Sequence, residues 1–194
     1  MKYLQLAVIV VATLTGSCDW DDPGTSASSL DGRAGGSPSG TPGRETGSGS
    51  DRVVRPTGLG ELSFGMPASR LAPYVAEDSR PSVSETCEYV RLRDPPDSVA
   101  IMVEQGRFAR IDVHGVGLAT LEGARVGDSE ERIQSLYPTL RRMPHKYTDG
   151  YYLVVLPLAP EDTLHRYVFE TDGSRVTTYR AGIYPPVEYV EGCS

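Results

Sequence analysis

Apolar and polar residues alternate in several short runs along the second half of the chain, the pattern of strands with one buried face. Residues 87–92 alternate, as do 99–104 and 108–113, with Gln105-Gly106 as a turn between the last two. Residues 151–156, 166–170 and 175–180 repeat the pattern, with Asp172-Gly173 between the last pair. An Asp-Gly step between alternating runs is a strong hairpin signal. Helical spacing is confined to two patches. In residues 128–137, Asp128 has the character of an N-cap, Glu131 follows in the manner of a capping box, and Pro138 ends the run. In residues 66–71, Pro67 suits a first helical turn. The pattern predicts an α+β domain with mostly antiparallel strands.

The two helical patches suggest a duplication. Gly65 aligns with Gly127 and Leu71 with Ile133, and further along Gly106 aligns with Gly173. Each copy runs short helix, strand, hairpin. The expectation is two tandem units of short helices packed on an antiparallel β-sheet. They would span about residues 57–115 and 118–183 and be followed by a C-terminal tail.

The start of the chain reads differently. Lys2 precedes an apolar run over residues 4–14, and the small residues Gly16 and Ser17 follow. That is the layout of a secretory signal peptide. The run falls short of the ~20 apolar residues that a membrane-spanning helix needs. Cys18 comes straight after the small residues, with Leu14 upstream, and this resembles the lipobox of bacterial lipoproteins. Thr15 departs from that family, where Leu is most common. The resemblance implies removal of residues 1–17 and diacylglycerol on the Cys18 thiol. Acyl chains would then hold the chain on a bacterial membrane, on its periplasmic or extracytoplasmic side. The other reading is a plain signal peptide with a cysteine near the cut. Asp19 resembles an inner-membrane retention signal of enteric bacteria.

Residues 18–52 are rich in Gly, Ser, Pro and Thr, and Leu30 is the only large apolar residue among residues 21–50. Such a stretch cannot bury enough surface to offset its ordering entropy. It is read as a flexible tether ahead of a folded domain over residues 53–194. A formal charge of -7 across 194 residues gives no basic surface for nucleic acid. With Cys18 given to lipid, Cys87 and Cys193 remain, in a compartment where disulfides persist. A bond between them would tie the tail to the body of the domain. The alternative is a pair of buried free thiols.

The motif Gly60-x-x-x-Phe64-Gly65-Met66-Pro67-Ala68-Ser69-x-Leu71 precedes antiparallel strands. It resembles the β-lactamase-inhibitor-protein fold, shared with the SmpA/OmlA outer-membrane lipoproteins. The resemblance covers about residues 57–183 and implies small helices on a sheet with a concave face. No partner-binding residue of that family carries over, and residues 184–193 have no counterpart in it.

The chain offers no catalytic set. His114, His145 and His165 are far apart, and no cysteine or histidine pair has zinc spacing. Gly115-Val116-Gly117 lacks the third glycine of a nucleotide fingerprint. No cofactor and no metal are expected. The aromatic content is more informative, with 11 tyrosines against 3 phenylalanines. Tyrosine and arginine combine large contact area with a polar handle and are enriched at binding hot spots. If Ile101, Val103, Ile111 and Val113 face the helices, then Met102, Arg110 and Asp112 face away from them. The duplication adds Tyr167 and Phe169 to that outer face, and alternation adds Tyr89 and Arg91. The competing explanation is that tyrosine simply suits half-buried strands.

These readings converge on a non-catalytic, membrane-anchored envelope lipoprotein that presents a protein- or peptide-recognition face. A hydrolase inhibitor or an assembly factor would be subclasses. The alternative is a carbohydrate- or cell-wall-binding module, and a third reading is a small hydrolase with an unrecognised site. Thiol counting on the mature protein under non-reducing conditions checks the cysteine assignment. No free thiol at Cys87 or Cys193 is the expected result, and two free thiols would remove the disulfide.

Overall fold

The computed structural model describes residues 53–79, 86–93 and 98–193. The expected signal peptide, Cys18 and the tether of residues 18–52 lie outside the described residues. Strands β4 (Cys87–Val90), β5 (Val99–Glu104), β6 (Arg107–Val113), β8 (Arg141–Pro144), β9 (Tyr151–Val155), β10 (His165–Thr171) and β11 (Val176–Ile183) build one sheet. Its order is β4-β5-β6-β11-β10-β9-β8, and each neighbouring pair is antiparallel. A smaller sheet, β3-β2-β1-β7, contains β1 (Val53–Arg55), β2 (Gly58–Leu59), β3 (Leu62–Ser63) and β7 (Ala119–Thr120).

The α+β expectation is corrected here. The described residues form a mostly β structure, with two sheets of four and seven strands and a single α-helix, α1 (Glu130–Leu136). The first helical patch is only a 3-10 turn, Ala68–Leu71, set between Pro67 and Pro73. Helices this short gain little from propagation and depend on tertiary packing. The two expected units do not stand as separate helix-on-sheet layers. Their strands share one sheet, joined where β6 pairs with β11. Helix α1 is capped one residue later than expected. Ser129 is extended, and its side chain accepts the Arg132 amide. Asp128 instead accepts from the Arg125 amide and pairs with Arg132.

Strand alternation puts one row of side chains on each side of the large sheet. By register, Val90, Ile101, Ile111, Ala181, Tyr167 and Val155 lie side by side, and Val99, Val113, Tyr179, Phe169 and Leu153 form the next row. This side is the main core, where Val54, Leu59 and Leu62 of the small sheet and Ile133 of α1 pack on it. Tyr167 is held there by its hydroxyl, which donates to the Val54 carbonyl at 2.9 Å.

Tyr167 and Phe169 are therefore core residues and do not belong to the outer face assigned to them by the duplication. Phe169 is fully buried, between Tyr137, Tyr167 and Tyr179. The error has a simple cause. Two residues separate Glu104 from its partner Arg107, but four separate Thr171 from Val176. Aligning the turn glycines fixes position along the chain and leaves the face unspecified, and a one-residue slip turns every side chain over. Phe169→Ala is expected to cost ~3–5 kcal/mol of stability, read as a lower urea midpoint. An unchanged midpoint would contradict the core placement.

Candidate functional site: a strap across the second sheet face

The opposite side of the large sheet carries the polar rows. Tyr89, Met102, Arg110, Gly182 and Arg166 are neighbours by register. The next row is Ala100, Asp112, Arg180, Val168 and Val154, followed by Thr178, Glu170 and Tyr152. The C-terminal residues 184–193 cross this face as a strap. Its 3-10 turn, Pro186–Glu188, drops Val187 into a second small core with Tyr152, Val154 and Val168.

Two buried arginines hold the strap down. Arg110 pairs with Asp112 at 3.0 Å. It also donates to the carbonyls of Pro186 and Tyr189, at 2.8 and 2.7 Å, and to the Tyr89 hydroxyl at 2.5 Å. Arg180 donates to the same Tyr189 carbonyl at 2.8 Å and pairs with Glu170 at 2.8 Å. Burial lowers the Arg180 pKa; the Glu170 charge opposes that, and Arg110 adds to the lowering as a like charge. Burial raises the Asp112 pKa against the pull of Arg110. Buried charges are tolerable only when paired and bonded, and the strap carbonyls supply part of that bonding.

Further ties run along the strap. Arg166 pairs with Glu188 and lies 4.0 Å over the Tyr184 ring. Glu191 accepts from both Lys146 and the Tyr147 hydroxyl. Cys193 is disulfide-bonded to Cys87 of β4, closing a separation of 106 residues. In the chain-entropy model a loop of about that length is worth up to ~4.7 kcal/mol.

Two glycines permit the close fit. A Cβ on Gly182 would lie 2.5 Å from both the Ala109 carbonyl oxygen and the Arg110 Cβ. Gly192 has φ +70°, and a Cβ there would lie 2.7 Å from the Tyr89 hydroxyl.

The structure thus brings Tyr89, Met102, Arg110 and Asp112 together on one face, but not as an open surface. Met102, Arg110 and Asp112 are buried, and only Tyr89 is exposed. Arg91 stands apart, in an exposed pair with Asp78 at 2.6 Å, and Tyr167 and Phe169 are on the far side. Arg180, Glu170 and the strap tyrosines are missing from the sequence assignment. Strand alternation with the correct register would have put Arg180 in the Asp112 row. Among the described residues, no group of three His, Cys, Asp or Glu side chains is placed to hold a metal ion. No helix there is long and apolar enough to cross a membrane.

No protein-family model matches the sequence, and no curated protein matches it. Among solved structures, the chain is similar to the uncharacterized protein yfeY from Escherichia coli, at 14% identity and a TM-score of 0.43. The match covers 67% of this chain and 99% of that one.

The strap contact has a pH signature. Its bonds to Lys146 and then Tyr147 hold the Glu191 carboxyl down from 4.5 to about 2. A lowered folded-state pKa contributes stability above the unfolded value, and that contribution is lost as pH falls through the folded value. The strap end is therefore expected to stay docked from neutral pH through pH 4.5 and to loosen toward about 2. The Gly192 amide resonance should titrate near the lower value and lose that titration in Glu191→Gln. A midpoint at the ordinary glutamate value would contradict the contact.

Proposed function

We propose that this chain is an envelope lipoprotein, anchored through lipid on Cys18, whose β domain recognises a protein or peptide partner on its strap side. The reading rests on one observation. Tyr89, Tyr147, Tyr184 and Tyr189 are exposed by 42%, 63%, 45% and 36%, and each is tied to the strap assembly. The Tyr89 hydroxyl accepts from Arg110, and the Tyr147 hydroxyl bonds Glu191. The Tyr184 ring sits under Arg166, and the Tyr189 carbonyl is held by both buried arginines. Aromatic groups already held in place lose little entropy on binding, and tyrosine is a favoured interface anchor.

The recognition surface is thus moved from the sheet to the strap that covers it. The sheet's outer edge is a less suitable partner site. Strand β8 is exposed along its length, but Arg141, Arg142 and Pro144 are residue types that discourage strand addition. Hydrolase inhibition would be one form of such recognition.

The test is capture from native membranes, with the lipidated chain as bait. A triple variant, Tyr147→Ala, Tyr184→Ala and Tyr189→Ala, is expected to lose the captured partner while still unfolding in one cooperative urea transition. Cys18→Ser is expected to move the protein from the membrane to the soluble fraction. Equal capture by the triple variant would overturn the surface, and membrane retention of Cys18→Ser would overturn the anchor.

A further inference from the structure

We infer that the cleft under the strap is a binding site for a neutral sugar ring. This does not rest on the protein-recognition reading. The cleft has a volume of about 390 Å³ and lies between Val190–Gly192 of the strap and the sheet residues Ala100, Thr178 and Arg180. That is the small end of the range for ligand pockets, ~300–1,000 Å³.

Three features specify the ligand chemistry. First, the charges in the cleft cancel. Arg110 is matched by Asp112 and Arg180 by Glu170, and Glu191 at the strap end is matched by Lys146. An anion or cation would disturb pairs that are already complete, whereas a neutral ligand would not. Second, the lining mixes donors with acceptors: guanidinium groups and the Thr178 hydroxyl stand beside the carboxylates of Asp112 and Glu170. A sugar hydroxyl donates and accepts at once and suits such a mixture. Third, Tyr89 lines the same cleft and is 42% exposed. Its ring gives the C–H face of a pyranose an apolar wall.

Titration of the full chain with N,N′-diacetylchitobiose, cellobiose and maltose, followed by backbone amide shifts, tests this. Sodium acetate and inorganic phosphate serve as charged comparisons. Saturable shifts at Tyr89, Thr178 to Gly182 and Val190 to Gly192 are expected with at least one disaccharide. Ala100→Leu adds bulk to the cleft from the position beside Asp112, and should weaken that binding at least tenfold. If Ala100→Leu fails to fold, Thr178→Val is read in the same titration and should also weaken binding. No response to any of the three disaccharides would overturn the assignment. So would tighter binding of acetate or phosphate, or undiminished binding by the folded variant.

Discussion

Two guanidinium groups, Arg110 and Arg180, meet at the carbonyl of Tyr189 beneath the C-terminal strap. Each brings its own carboxylate, Asp112 or Glu170. Three of these charges, Arg110, Asp112 and Arg180, are thereby buried on one sheet face, and Glu170 is partly exposed. Desolvating an ion is expensive, and attraction to a counter-ion offsets the loss only when the remaining bonds are also made. The strap makes several of them, since the Pro186 and Tyr189 carbonyls accept from Arg110 and the Tyr189 carbonyl also accepts from Arg180. The sheet needs the strap, and the strap, which contains only one 3-10 turn, needs the sheet.

Other features of the structure follow from this dependence. Gly182 sits opposite Arg110 in register, where any Cβ would crowd that residue. The disulfide ties the strap end to β4, next to Tyr89, whose hydroxyl is one of the Arg110 acceptors. Val187 adds an apolar contact in the second core. Covering the polar rows also decides what the domain shows to solvent. The arginines and Met102 are withdrawn, and tyrosines of the strap and its neighbours take their place on the surface.

The strands that carry this arrangement were legible in the sequence where they are long and alternate. Strands β5, β6, β10 and β11 fall where alternation predicts them, because each has one face against the core. Strands β1, β2, β3 and β7 have two or three residues each, too few to show a period. Strand β8 is exposed throughout and carries no apolar rhythm. Helical content is lower than the pattern predicts: a good cap and one apolar turn support the seven-residue α1 but not a helical layer. On the site, Met102, Arg110 and Asp112 were placed on the correct face from alternation alone. Their burial was not legible, because it comes from where the tail lands, and no local pattern encodes that. The expected bond between Cys87 and Cys193 gave one end of the answer, since it brings the tail back to β4.

Removal of residues 184–194 tests the mutual dependence of strap and sheet most directly. The reference is the full-length chain carrying Cys87→Ser and Cys193→Ser, which lacks the disulfide but keeps the strap. If the strap completes the buried charge array, the truncated chain unfolds at a clearly lower urea concentration than this reference, or fails to unfold cooperatively. Equal urea midpoints for the two chains would contradict the account, because the strap would then contribute nothing beyond its covalent tie.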